Sequence, residues 1–247
     1  MQIAIPSYKR SVTLKKKTLS FLDSEGFDKE QITIFVANEE EKEDYEQVLR
    51  LDYKIVVGVK GIANQRLFIR NYYPEGTHIL SMDDDIRKIK MLRKNMSFKA
   101  LVENLFDCLK DHKVTTWGIY PTNNLFFCKD RVLIGNLYII ACCYGFINRK
   151  DIVEYGENNE DYSVKEDVWY SLKRIELDGA VLRYEGACPD TDYYAKGGLS
   201  EFRTLEKEEE ISKKIVGLFP SLCKYIVKKN GHPDVKILRK IDKIVSL

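Results

Sequence analysis

No apolar run in this 247-residue chain approaches the roughly 18 residues a membrane span requires. The N-terminus turns polar and basic after one short apolar segment, so neither a spanning helix nor a signal peptide is expected, and the expectation is a cytoplasmic protein. The six cysteines (Cys108, Cys128, Cys142, Cys143, Cys188 and Cys223) have no CxxC spacing and lie in or near apolar segments, which points to buried thiols rather than zinc ligands or disulfides. A net charge of +2, with 44% hydrophobic and 32% charged residues, describes an ordinary globular chain and is too mild to establish a nucleic-acid partner. A Walker loop, a Ser/His/Asp triad and a dinucleotide fingerprint are all missing. So are internal repeats and low-complexity segments.

What is present is alternation. Apolar segments at 2–7 (QIAIPS), 31–38 (QITIFVAN), 53–58 (YKIVVG) and 77–82 (THILSM) read as strands, separated by segments with helical spacing. Runs this apolar argue for a parallel sheet covered by helices on both faces. In such sheets ligands bind beyond the carboxyl ends of the strands, so the loops PSYKR, ANEEE, GVKGIANQR and DDDI should converge on one site. The second half is less regular. A helix is expected over 98–112, a hairpin over 130–149 with Gly135-Asn136 as its turn, a helix from Lys165 onward, and a helical tail over the last 37 residues.

The stretch ILSMDDDIRKIK ends a buried strand with Asp83, Asp84 and Asp85. Adjacent carboxylates repel one another and resist leaving water. A hard divalent cation with oxygen ligands would compensate them; a solvated, helix-capping turn is the alternative, although a cap needs only one carboxylate. Further on, Glu166 and Asp167 open a helix, where capping and the helix dipole favour acids and where a carboxylate can also serve as a general base.

In this order, IPSYKR, IFVANEEE, GIANQR, ILSMDDDI, GFI and KEDVWYSLK resemble the GT-A glycosyltransferases, a Rossmann-like α/β fold. The branch most resembled is the TET/JBP-associated one, which includes the base J glucosyltransferase and viral enzymes that glycosylate hydroxymethylated pyrimidines in DNA. The resemblance implies a glycosyltransferase domain over 1–205 and a basic helical extension over 206–247 packed on it. It implies a nucleotide diphosphate sugar as donor and Mn2+ or Mg2+ as cofactor. Pro6, Ser7, Tyr8 and Arg10 would line the nucleotide pocket, with Asn38 and Glu39 at the nucleobase edge. Gly61, Gln65 and Arg66 would lie beside the sugar-nucleotide, Arg66 pairing with Asp83 or a phosphate. Asp83 and Asp84 would contact the donor, Asp85 with Asp83 would hold the metal, and His232 is the candidate for a third ligand. Asp167, or failing that Glu166, would act as base in an inverting transfer; in a retaining transfer the pair would bind sugar hydroxyls. The loop with Lys196, Gly197, Gly198 and Arg203 has the composition of a lid over the donor phosphates, and equally that of a plain surface loop.

Residues 211–247 hold nine Lys/Arg against two Asp, and Arg87, Lys88, Lys90, Arg93 and Lys94 follow the aspartates. With the resemblance, Arg87, Lys88, Lys228 and Lys229 become candidates for tracking a DNA backbone; without it, they read as a solvated basic face. Rival readings keep the chemistry but use a surface polysaccharide as acceptor, or change it to sugar-phosphate nucleotidyl transfer, for which PSYKR lacks the usual glycine-rich loop. A non-catalytic binding module is the third rival.

Overall fold

The computed structural model describes residues 1–150, 162–191 and 204–247. Four parallel strands form its first half: β1 (Gln2–Pro6), β2 (Ile32–Val36), β3 (Lys54–Val57) and β4 (His78–Met82), in the spatial order β4-β1-β2-β3. Between them run α1 (Ser11–Leu14), which passes through a π-helical turn (Lys15–Leu19) into α2 (Ser20–Ser24), then α3 (Glu39–Leu49) and α4 (Ile62–Tyr72). Period-2 geometry sends alternate residues of a strand to opposite faces, and these strands are apolar on both. Ile3, Ile5, Ile32, Ile34, Val36, Leu80 and Met82 enter one core, whereas Ala4, Phe35 and Ile79 enter the other. Each fully buried large aliphatic contributes about 1.5–3 kcal/mol, so a polar substitution on either face is costly.

The second half adds α5 (Phe98–His112), β6 (Thr116–Ile119), β7 (Val132–Asn136), β8 (Cys143–Ile147), α6 (Glu166–Asp178) and β9 (Val181–Tyr184). A short antiparallel pair, β5 (Lys88–Met91) with β10 (Ala187–Asp190), flanks the aspartate loop. After α7 (Leu205–Leu218) come β11 (Cys223–Val227), β12 (Pro233–Ile237) and β13 (Lys240–Val245). The main sheet has the order β13-β7-β9-β6-β8-β4-β1-β2-β3, and only β7 and β8 run against the rest. The mixed, mostly parallel α/β sheet flanked by helices is therefore as expected.

Two expectations are corrected. Gly135 and Asn136 belong to β7 and make no hairpin turn; β7 and β8 are separated in the sheet by β9 and β6. Gly135 instead permits a close approach by β13, because a Cβ there would lie 2.0 Å from the Lys240 carbonyl oxygen. The C-terminal tail is helical only through Leu218. Its remainder forms the β11–β12 hairpin and the edge strand β13, which completes the main sheet rather than packing on it as a helix.

Candidate functional site

The carboxyl ends of β1, β3 and β4 and the residue after β2 open onto one cleft of roughly 1590 Å³. Pro6, Ser7, Tyr8, Arg10, Gly61, Gln65, Arg66, Asp83, Asp84, Asp85, Glu166 and Asp167 all line it. The convergence expected from strand order is realised for the loops after β1, β3 and β4, whereas of ANEEE only Ala37 reaches the cleft.

The aspartate loop is held from both ends by Thr18, which donates to the Asp83 carbonyl at 2.7 Å and accepts from the Ile86 amide at 2.9 Å. The three carboxylates have different surroundings. Asp84 is buried, accepts from Ser7 Oγ at 2.6 Å and meets Arg10 Nη1 at 3.3 Å, so it ties the loop after β4 to the loop after β1. Ser7 is in turn 2.6 Å from the buried Tyr45 hydroxyl. Asp85 accepts from Thr191 Oγ1 at 2.6 Å, and its other oxygen is 3.5 Å from Arg10. Asp83 keeps 35% of its side chain open to the cleft and is paired with Arg66 at 3.1 Å. Its depth pushes its carboxyl well above the usual range against the pull of Arg66, and Asp85 and Asp84 push in the same direction.

Among the described residues no three His, Cys, Asp or Glu side chains converge as a ready-made metal cage. Asp83 and Asp85 nevertheless carry the oxygen donors that a hard cation prefers. Three adjacent carboxylates concentrate negative charge at one point of the cleft, and a cation there would offset it. His232 lines the cleft but is taken up by Glu208, with Nδ1 2.9 Å from Oε2, so it is not gathered with the aspartates.

Arg66 is 3% exposed and joins the two halves of the site. Besides Asp83 it forms an ion pair with Glu166 at 3.1 Å, and it donates to the Ala141 carbonyl at 3.1 Å and the Tyr144 hydroxyl at 3.2 Å. Glu166 is therefore committed to Arg66. Asp167 has no cationic partner among the described residues; it accepts from the Tyr138 hydroxyl and, at 2.8 Å, from the Val168 amide. Burial, and then Asp167 itself, push the Tyr138 hydroxyl up, so it remains a donor.

Gln65 shapes the loop after β3, accepting from the Val59 amide at 2.8 Å and donating to the Val36 carbonyl at 3.0 Å. Gly58 leaves room for it: a Cβ there would lie 2.1 Å from Gln65 Oε1 and 3.0 Å from Phe68. Gly58→Ala should displace Gln65 and destabilise the fold by about 1–3 kcal/mol, to be read from the urea midpoint. An unchanged midpoint would mean that the loop is not set by this bridge.

Asn38 caps α3 by accepting from the Glu41 amide at 2.9 Å, and Glu39 is exposed beside Lys42; Ala37, not these two, lines the cleft. Lys196, Gly197, Gly198 and Arg203 lie outside the described residues. Arg87 pairs with Asp190 at 3.2 Å, Lys228 lines the cleft and pairs with Asp234, and Lys88 and Lys229 are exposed and do not line it. Thr18, Tyr45, Tyr138 and Thr191 were not expected at the site. Each carries an ordinary core or loop signature in the sequence, and only the tertiary fold brings it there.

No protein-family model and no curated protein sequence matches the chain. Among solved structures it is similar to glucosyl-3-phosphoglycerate synthase from Mycobacterium tuberculosis in complex with Mn2+, UDP and glucosyl-3-phosphoglycerate, with TM-score 0.55 and 8% identity over 96% of this chain and 86% of that one. A second similarity, to 4-diphosphocytidyl-2C-methyl-D-erythritol synthase from Anaerococcus prevotii DSM 20548, has TM-score 0.34 and 13% identity over 71% and 76% of the two chains, too distant to bear on the fold. Among the described residues no helix is long and apolar enough to cross a membrane. The architecture is GT-A-like.

Proposed function

We propose that this chain transfers a sugar from a nucleotide diphosphate donor to an acceptor hydroxyl. One observation carries the reading: Asp167, a carboxylate without a cationic partner among the described residues, faces the same cleft as the Asp83–Asp85 loop and the loops after β1 and β3. Tyr8, with 37% of its surface exposed at the cleft, is suited to stack on the donor's base or ribose. Asp83 and Asp85 would hold Mn2+ or Mg2+, whose chemistry when bound is to offset the charge of the departing diphosphate. Arg10, which touches Asp84 and Asp85, stands where it can neutralise a phosphate. Asp167 would take the proton of the acceptor hydroxyl, with Tyr138 fixing its orientation. The similar mycobacterial enzyme, crystallised with Mn2+ and UDP, supports the donor class through fold alone.

The finer reading, a hydroxymethylated pyrimidine in DNA as acceptor, is supported by the sequence resemblance and by exposed Lys224, Lys229, Lys236, Lys240 and Lys243 on and between the last strands. The base would be flipped out or presented single-stranded to reach the cleft. The test is incubation with hydroxymethylcytosine DNA, hydroxymethyluracil DNA and small acceptors across a panel of nucleotide sugars. A gain of one sugar mass identifies donor and acceptor together, and no consumption of any donor rejects the transferase reading.

Metal use has its own test. Asp85→Asn should lower transfer at least about 100-fold with the thermal midpoint nearly unchanged, and a chelator should silence the wild type. Full activity of the variant in chelator would remove the metal from the scheme.

A further inference from the structure

Among the described residues, one wall of the cleft carries more cations than carboxylates, even with Asp167 and Glu208 counted. Lys165, with its side chain 8% exposed, meets Asp234 at 2.9 Å, and Lys228 meets the other oxygen of the same carboxylate at 2.5 Å. Just past β9, Glu185 is shared by Arg183 at 2.7 Å, Arg131 at 2.7 Å and Arg239 at 3.5 Å. Two ammonium groups thus divide one carboxylate, and three guanidinium groups divide another. Lys165, Lys228, Arg183 and Arg239 all line the cleft. Arg183 is 6% exposed, and its Nε is buried without a hydrogen-bond partner among the described residues. Like charges gathered this closely in a partly desolvated wall oppose folding unless an anion joins them.

Both clusters flank Asp167. Arg183 donates to the Tyr138 carbonyl at 3.2 Å, and the hydroxyl of the same tyrosine donates to Asp167. Lys165 immediately precedes α6, whose first turn carries Asp167. In the sheet, β9 is separated from β1 by β6, β8 and β4, so the Arg183–Glu185 cluster lies several strands from the loop that would hold the nucleotide. Forked guanidinium and ammonium donors together match a phosphate or carboxylate.

We infer that this wall is the acceptor subsite and that it takes an anionic group, a phosphate or carboxylate borne by the molecule whose hydroxyl reaches Asp167. The term acceptor rests on the transferase reading above; the anion site itself does not. A neutral acceptor would leave the surplus among the described residues uncompensated.

The experiment titrates the full chain with inorganic phosphate, glycerol 3-phosphate, neutral glycerol and a single-stranded hydroxymethylcytosine oligonucleotide. Separate titrations use a set of nucleoside diphosphates, with the wild type and the double variant Lys228→Ala/Arg239→Ala run in parallel. Both side chains are about half exposed, at 52% and 51%, so their removal spares the packing. The wild type should bind at least one anion and not glycerol, and the variant should lose about tenfold or more in that affinity with nucleoside diphosphate binding unchanged. Glycerol 3-phosphate binding would identify a small phosphorylated acceptor. Binding of the oligonucleotide alone, falling steeply with salt, would identify a nucleic-acid backbone. Either result supports the subsite. Equal anion affinity in variant and wild type, or no anion binding in the wild type, overturns it. If nucleoside diphosphates fail to bind while variant-sensitive anion binding persists, the anion site stands and the nucleotide-sugar reading falls.

Discussion

Asp167→Asn should lower turnover about 10²–10⁴-fold, the range for loss of a positioned general base, while nucleotide-sugar affinity stays within about twofold of wild type. The substitution is nearly isosteric. The amide oxygen can still accept from the Tyr138 hydroxyl, which donates to Asp167 in the native site, so neither packing nor the start of α6 should change. What disappears is the capacity to receive a proton as the acceptor hydroxyl attacks. Tyr138→Phe provides the graded comparison: it leaves the carboxylate but frees its orientation, and should cost about tenfold in turnover. Single-turnover transfer and equilibrium donor binding, measured on both variants, separate these effects. Glu166→Gln is not an equivalent test, because Glu166 is bound to Arg66 at 3.1 Å and its loss disturbs structure first. If Asp167→Asn retains wild-type turnover, the base lies elsewhere and the central observation behind the proposed mechanism is lost.

The parallel half of the fold was legible because its strands are apolar on both faces and its helices are amphipathic; helix α5 begins and ends at the expected residues, Phe98 and His112. The later strands were harder to order. Nothing in the sequence near Gly135 says that an unoccupied Cβ position serves a strand more than a hundred residues away. In the C-terminal segment Ile237, Ile241, Ile244 and Val245 fall at helix-like intervals, yet Ile237 closes β12 and the other three lie on β13, a largely exposed edge strand where burial imposes no period. The Asn230-Gly231 pair, with Gly231 at a positive φ of 83°, was a readable turn signal between two short strands. At the site, the aspartates and the α6 acids were visible as local clusters of charge. Their division of labour was not, because it depends on partners distant in sequence: Ser7 for Asp84, Thr191 for Asp85, Arg66 for Asp83 and Glu166, and Tyr138 for Asp167.

Arg66 carries the largest stability effect expected of any single residue at the site. It is a buried cation between Asp83 and Glu166, further held by the Ala141 carbonyl and the Tyr144 ring and hydroxyl. Arg66→Met keeps much of the side-chain volume but leaves a buried Glu166 and a deep Asp83 without their counter-charge. Breaking a buried pair by removing one partner typically costs about 3–5 kcal/mol, more than the intact pair itself contributes. The expected result is therefore a loss of that order in urea unfolding, accompanied by loss of transfer. The control that identifies the cause is the triple variant Arg66→Met/Asp83→Asn/Glu166→Gln, which removes the stranded charges together with the cation. It should recover most of the lost stability and none of the activity, because Asp83 is also a proposed metal ligand. If the triple variant is no more stable than Arg66→Met, the cost comes from the lost hydrogen bonds to Ala141 and Tyr144 rather than from unpaired carboxylates, and Arg66 is a packing brace instead of the electrostatic link between the two halves of the cleft.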